Sequence, residues 1–316
     1  MKLPEKATHP TIYFIGVTTA KSSIMNIFPL WAQELGLENA RIKGIDIEIH
    51  AKAEKYRQCV TFIKNDEQSL GALVTTHKID LYHAAHDLFD ELDCFAQMFH
   101  ELSCISKKNG RLKGSAKDPI SSGLAIKSFI PNGFWKKNSG EVFIMGAGGS
   151  ALAISAYLVK KEHGLNVPSK IIISNRSKQR LESAKKLLSH LNSDVTFEFH
   201  LCPDPKDNDK ILASLPPYSL VVNATGLGKD RPGSPLTESC KFPENSFVWE
   251  LNYRGELTFM HQAISQKEMR NLHVEDGWVY FIHGWTQVIA EVFQVNIDKK
   301  QLEKLSRIAL EQRKNR

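Results

Sequence analysis

The 316-residue sequence has no uninterrupted apolar run of the ~18–20 residues that a membrane-crossing helix requires. Its first residues, MKLPEKATHPTIYFIGV, place charges and prolines ahead of a short apolar run, so no signal-peptide core is expected. Cysteine is scarce. The five (Cys59, Cys94, Cys104, Cys202 and Cys240) are odd in number and lack any CxxC or Cys/His ligand spacing. That pattern argues against a disulfide framework or a zinc cluster and predicts free, mostly buried thiols in a reducing, cytoplasmic compartment. The twelve histidines form no HExxH or comparable set, so no catalytic metal is expected. Repeats and low-complexity tracts are absent. Charge of one sign does not dominate either: 41 Lys and Arg against 35 Asp and Glu leave +6, scattered apart from short clusters such as Lys136-Lys137 and the Arg313–Arg316 tail. A phosphorylated small molecule explains this mild excess as well as a nucleic acid would, and the expected partner is a small-molecule substrate, with neither nucleic acid nor membrane and with the chain a monomer or homodimer.

What the sequence does have is a soluble globular mix, 42% hydrophobic and 24% charged, in a length that suits two domains. Thr11–Val17 reads as a strand, Ser23–Leu37 as a helix with apolar residues at helical spacing, Arg41–His50 as a strand, Glu54–Lys64 as a helix and Gly71–Thr75 as a buried strand. Such alternation predicts an α/β domain with a largely parallel sheet. Leu81–Phe99 reads as helical, Lys108-Asn109-Gly110 as a hairpin turn and Asp118–Phe129 as a connecting helix. A second series begins at Glu141: strand Val142–Met145, helix Ala151–Glu162, strand Lys170–Ser174, helix Gln179–Leu191, and strands Val195–His200 and Leu220–Asn223.

Between the first strand and helix of this second series lies Gly146-Ala147-Gly148-Gly149-Ser150-Ala151. Strand, glycine turn and helix in this order fit a dinucleotide site. Gly146 permits the tight turn, Gly148 and Gly149 let a pyrophosphate approach the backbone, and small Ala151 permits close helix-to-sheet packing. The next strand ends in Asn175-Arg176-Ser177, where an NAD enzyme often places an acid for the ribose hydroxyls. Here Arg176 can fork onto a 2′-phosphate, Ser177 can donate a hydrogen bond, and Arg180 is a second cation one turn on. NADP(H) is therefore the expected cofactor.

With these landmarks and the later Asn223-Ala224-Thr225-Gly226-Leu227-Gly228 segment in order, the sequence resembles the shikimate dehydrogenase family over most of its length. The resemblance implies an N-terminal α/β substrate domain plus a Rossmann-type doubly wound NADP-binding domain, with C-terminal helices returning to the first. The corresponding bounds are 1–120, completed by about 277–316, and 121–276. It implies that Asn223–Leu227 and Gly277 line the nicotinamide side and that Tyr253, after Phe247–Leu251, lies near the substrate, although the family's Asp is Glu250 here and its Asn-Pro is Arg254-Gly255. Val74-Thr75-Thr76-His77-Lys78 is similar to the family's VTxPHK turn, shortened and without its proline, and Gly114–Asp118 to its GxNTD. Lys78 and Asp118 are thus the implied catalytic pair. Chemically, an ammonium can stabilise and then protonate the oxygen of a ketone that accepts hydride; desolvation would lower the amine's pKa, whereas ionised Asp118 would raise it.

The substrate positions depart from the family. Its two serines face Ser22 and Ser23 in an ambiguous register, its AVNT asparagine is replaced by Ser103 or a neighbour, and the asparagine of NTD is Ala116. Its late glutamine falls near Gly284-Trp285. With Thr75 and Tyr253, these serines are the expected substrate contacts. Each lost polar partner costs ~1–3 kcal/mol, so the expected substrate is a cyclic hydroxy acid or related alcohol other than standard shikimate. Trp31, Trp285 and Tyr280 could widen the site, but core positions suit them better, and His77 and His283 read more simply as structural. The competing expectation is a retired NADPH-binding sensor or interaction protein, against which the joint presence of Lys78 and Asp118 argues. A folate-type methylene dehydrogenase is a weaker third reading, for want of a recognisable pterin site.

Overall fold

The computed structural model describes residues 3–229 and 231–314, so Asn315 and Arg316 of the basic tail lie outside the described residues. The chain divides into two compact units, Met1–Lys117 with Gly284–Arg316, and Asp118–His283.

In the first unit β1 (Thr11–Gly16), α1 (Ile24–Glu34), β2 (Arg41–Asp46), α2 (Ala53–Asn65) and β3 (Ser69–Val74) alternate. β1 is buried at every position, as expected of the middle of three parallel strands, and its neighbours β2 and β3 both run parallel to it. Beyond β3 the alternation ends. The segment expected to form one helix over Leu81–Phe99 is α3 (Lys78–Ala85), a 3-10 turn, the two-residue β4 (Glu91–Leu92) and α4 (Cys94–Phe99). Two aspartates break it. Asp90 accepts from Leu112 N at 2.8 Å, and the Asp93 carboxylate caps α4 by accepting from Ala96 N at 2.7 Å, committing the chain between them to the sheet edge. β5 (Cys104–Lys108) and β6 (Arg111–Ser115) form the expected antiparallel hairpin, with Asn109 and Gly110 both left-handed at φ +50° and +76°. The sheet order is β2-β1-β3-β5-β6-β4, with three of its five pairings parallel and the β5-β6 hairpin supplying the antiparallel ones. β2 ends at Asp46, short of the expected His50, because Asp46 turns to accept from Thr19 N and Oγ1.

The second unit runs α5 (Asp118–Phe129), α6 (Phe134–Lys137), β7 (Val142–Met145), α7 (Gly149–Leu158), β8 (Lys170–Asn175), α8 (Lys178–Leu188), β9 (Thr196–Leu201), α9 (Pro205–Ser214), β10 (Leu220–Asn223), β11 (Phe247–Glu250), α10 (Thr258–Ile264), α11 (Lys267–Arg270), β12 (His273–Glu275) and the first turns of α12 (Trp278–Phe293), within which the division falls. Its six strands are all parallel, in the order β12-β11-β10-β7-β8-β9. The chain winds outward from β7 in both directions, so the order reverses between β7 and β10; this is the switch point at which open α/β sheets bind ligands outside the strand ends. β7 and β10 are buried throughout, and their apolar residues join Phe242, Val248 and Phe259 in one core.

From Gly284 the chain belongs to the first unit again, where α13 (Lys299–Lys314) packs on α1 and Trp31 donates from Nε1 to Leu305 O at 2.8 Å. Trp31 and Trp285 are both core, the latter edge-on to Phe14. Among the described residues, no helix is long and apolar enough to cross a membrane.

Candidate active site

In the second unit the three expected cofactor segments lie at the carboxyl ends of three adjacent strands, β10, β7 and β8. Gly146 follows β7 with φ +114°, and a Cβ there would come within 2.5 Å of the Ala224 carbonyl oxygen, so only glycine fits. Its neighbours tie the segments together: Gly146 N donates to Ser174 O at 2.8 Å and Ala224 N to Met145 O at 2.8 Å. Gly148 precedes α7 in extended conformation, with nothing within 4 Å of its would-be Cβ. Gly149 and Ser150 open α7 half-buried, while Ala147 and Ala151 are buried beneath them. Space in front of Gly148, backbone amides at the start of a ten-residue helix and small residues behind fit a pyrophosphate.

At the end of β8, Asn175 Oδ1 accepts from Ser177 N at 2.9 Å, and Ser177 Oγ accepts from Arg180 N at 3.4 Å as the N-cap of α8. Arg176 and Arg180 are exposed at this cap, two guanidinium groups beside a helix start. On the other side, Asn223 ends β10 fully buried and its Oδ1 accepts from Thr225 N at 3.1 Å and Thr225 Oγ1 at 2.6 Å, folding the Asn223–Leu227 loop back on itself. Gly226 occupies its turn at φ +76°. Gly277 donates to Asn252 O at 3.0 Å and lies so close to the backbone that a Cβ would come within 2.0 Å of Leu251 O. Tyr253 follows β11 in a loop rather than ending the strand, packed against Trp278 and Phe281 with ring centroids 5.5 and 4.7 Å away.

In the first unit, the turn after β3 is strained. Thr75 N donates to Ile15 O at 3.0 Å, Thr76 then takes φ +56°, His77 is fully buried, and Lys78 is the first residue of α3, half-buried. A β-branched residue in left-handed conformation is unusual; here a shortened turn reverses the chain in so few residues that Thr75 and His77 are bridged directly by a backbone hydrogen bond. The His77 ring meets Tyr56 OH at 3.2 Å through Nδ1, and burial holds its pKa below the ordinary value.

Around that turn, Val74 N donates to Ser103 O at 2.9 Å and Leu102 N to Lys78 O at 3.1 Å, so Thr75, Lys78 and Ser103 share one end of the sheet. The Ser103 hydroxyl is committed within the protein, accepting from Lys117 N at 2.7 Å and donating to Ser115 O at 3.4 Å. Ser22 is half-buried in the turn before α1, and Ser23 is buried with its carbonyl accepting from Ile27 N at 3.1 Å. Ala116 is fully buried and Asp118 opens α5 at 6% exposure.

No model of a known protein family matches the chain. Curated relatives do: the shikimate dehydrogenase (NADP(+)) of Lactococcus lactis subsp. cremoris is 26% identical over 178 residues, 56% of this chain and 59% of the relative. That of Hydrogenovibrio crunogenus is 25% identical over 193 residues, 61% and 62% of the two chains. The matched stretch thus spans about three-fifths of the length of the curated relatives it matches. In three dimensions, quinate dehydrogenase from Corynebacterium glutamicum in complex with NAD superposes with a TM-score of 0.72 over 96% of this chain and 99% of that one, at 16% identity. Shikimate 5-dehydrogenase from Thermus thermophilus in complex with NADP(H) and shikimate gives 0.68 over 95% and 99%, at 22% identity. The chain is shikimate dehydrogenase-like in sequence and fold.

The structure gives particulars of three buried titratable residues: Glu250 and His283, which the motifs had only bordered or altered, and Glu101, which sequence reasoning missed. Glu250 is fully buried at the end of β11, accepting from Asn223 Nδ2 at 2.7 Å and Asn252 N at 2.8 Å. Burial pushes its pKa up to about 7, with Asp276 adding to the rise and the Asn252 and Asn223 donors opposing it. Glu101, also fully buried, directly precedes the Leu102 amide that holds Lys78. His283 is buried and its pKa is lowered by that burial to about 4. No sequence spacing announces a buried acid; only the contacts do. The five cysteines are free, four of them buried, and burial raises the thiols of Cys59 and Cys104 to about 12 and those of Cys202 and Cys240 to about 11. These four remain protonated, as the sequence led us to expect of inert thiols.

Proposed function

We propose that the chain is an NADP(H)-dependent oxidoreductase of the shikimate dehydrogenase type, interconverting a hydroxyl and a ketone on a cyclic hydroxy acid or related alcohol. The observation that carries this reading is the convergence of Gly146–Ala151, Asn175–Ser177 and Asn223–Leu227 on the carboxyl ends of β7, β8 and β10 at the reversal point of the second sheet. The pyrophosphate would lie against the amides at the start of α7. Arg176 and Arg180, with no carboxylate at this strand end, would take the 2′-phosphate. A charge-assisted hydrogen bond there contributes ~1.5–3 kcal/mol, roughly ten- to hundredfold in affinity. When bound, the nicotinamide supplies or accepts the hydride.

The protein's own share of the chemistry is the proton. As negative charge develops on the carbonyl oxygen, Lys78 Nζ stabilises it and donates a proton; in the reverse direction the neutral amine accepts one. Held at the start of α3 behind the Thr76 turn, Lys78 has its backbone fixed on both sides. Asp118 is assigned the companion role of accepting a hydrogen bond from the substrate hydroxyl, with Ser22, Ser23, Thr75 and Tyr253 as further substrate contacts. The altered substrate follows from Ser103 and Ala116: one hydroxyl is spent inside the protein and the other side chain has none to offer. A substrate with fewer ring hydroxyls leaves fewer polar groups unpaired.

The test is NADP+ reduction across a panel of cyclic hydroxy acids, amino-substituted analogues and plain cyclic alcohols, run with the wild type and Lys78→Ala. The reading expects at least one compound other than shikimate to be turned over, at a rate that Lys78→Ala lowers by about 10²-fold or more. Equal turnover by both proteins removes Lys78 from the chemistry. A wild type that binds NADPH but oxidises nothing would favour the retired sensor.

A further inference from the structure

We infer that Glu250 is a positioning residue that latches the two loops after β10 and β11 together and thereby sets the conformation of the Asn223–Leu227 loop for the nicotinamide half of the dinucleotide. The inference rests on the cofactor reading above and deepens it.

Above its pKa of about 7, Glu250 is a carboxylate whose two oxygens can only accept hydrogen bonds. The Glu250 Oε2 takes Asn223 Nδ2 at 2.7 Å and Oε1 takes Asn252 N at 2.8 Å, one donor from each loop. With its amide nitrogen held by the acid, Asn223 must turn its oxygen the other way, and that oxygen receives both Thr225 N and Thr225 Oγ1. Thr225 Oγ1 in turn accepts from Leu227 N at 3.2 Å. Leu227 O closes the circuit by accepting from Asn252 Nδ2 at 3.0 Å. Each bond orients the next, so the loop's shape is conditional on a hydrogen-bond acceptor with two accepting oxygens at position 250. The network also reaches the far loop, because Asn252 O accepts from Gly277 N. Glu250, Asn223 and Asn252 are all buried, at 0%, 0% and 7% exposure, so no solvent molecule readily substitutes for a lost partner.

Two substitutions probe this without emptying the core. Gln in E250Q presents one oxygen and one amide nitrogen, so whichever way it turns, one of the two donors faces another donor. Asp in E250D keeps the charge but is one methylene shorter and cannot span both loops from the β11 end. Neither variant changes the Arg176 side of the site, which lies across β7 on β8.

The experiment is a pair of binding titrations on the wild type, E250Q and E250D: NADPH, which reaches both ends of the site, and adenosine 2′,5′-bisphosphate, which lacks the nicotinamide half. The expected result is NADPH binding weakened by about tenfold or more in both variants, with the bisphosphate within about twofold of wild type. NADPH affinity unchanged in both variants overturns the inference. So does equal weakening of both ligands, which would make Glu250 a general structural residue rather than a positioning one. A wild type that binds neither ligand sinks the cofactor reading itself, an outcome distinct from either of the others.

Discussion

Thr76 and Gly146 hold two constrained backbone positions near the candidate site, and they respond to substitution in opposite directions. Thr76 sits at φ +56° with a β-branched side chain, a conformation that costs an L-residue ~1–2 kcal/mol. Asparagine tolerates it, so Thr76→Asn is expected to raise unfolding free energy in urea by about 0.5–1 kcal/mol. If the shortened turn holds Lys78 in place by that strain, the substitution leaves stability higher and turnover no better. Gly146→Ala adds a Cβ within 2.5 Å of Ala224 O at φ +114°, where neither partner is a flexible side chain. It is expected to lose about 2–4 kcal/mol of stability, read in the same denaturation, together with nucleotide binding. At this scale the glycine motif was legible because its chemistry is local: a turn, a close approach and a helix start all fall within six residues. Glu250 stood out only as a replaced Asp, and its role was not legible, because what makes it special is a pair of donors 27 and two positions away in sequence.

Elements were legible where one local signal dominated. Asn109-Gly110 made a hairpin because both residues accept positive φ, and buried runs such as Val142–Met145 and Leu220–Asn223 made parallel strands. The Leu81–Phe99 stretch misled because its apolar residues continue across a break that is enforced from outside the segment, by Leu112 and Gly114 on β6 pairing with Asp90 and Asp93. Asp93 does double duty there, accepting from Ala96 N as the cap of α4 and from Ala116 N at 3.2 Å. Asp93→Ala should therefore cost about 1–2 kcal/mol, the range of a lost N-cap, and a protease-sensitivity assay should show cleavage appearing first around residues 89–94. Unchanged stability would mean that β4 and not the cap holds this edge. The helix α9 was passed over although Asp204-Pro205 is a strong start signal; its carboxylates form a capping box with proline in the first turn.

At the scale of the whole molecule, buried titratable groups pull the pH dependence of stability in two directions. Glu250 has a raised folded pKa, about 7, so between the ordinary carboxylate value near ~4.3 and pH 7 the native state keeps a proton that the unfolded chain has released. Its contribution is full in acid and is lost as pH rises through 7. His283, lowered to about 4, and His77, lowered in the same sense, act oppositely: below the ordinary histidine value near ~6.5 the unfolded chain takes up protons that the folded one refuses, so their contribution is lost as pH falls. The two slopes offset one another between about pH 4.5 and 6.5. Replacing Glu250 with Gln removes the falling component, and thermal midpoints of that variant should climb with pH more steeply than the wild type's over this window; parallel curves would contradict the assignment.

The two-unit architecture was legible from alternation and from ordered motifs, whereas the substrate end was obscured because Ser103, Ala116 and the shortened turn depart from the pattern that would have identified it. The central claim is that the second unit binds a 2′-phosphorylated dinucleotide, and the direct measurement is a titration of the wild type and Arg176→Ala with NADPH and with NADH. The account predicts that the wild type prefers NADPH by about tenfold or more and that Arg176→Ala erases most of that preference by weakening NADPH alone. Equal affinity for the two nucleotides in the wild type, or a preference that survives the substitution, would contradict it.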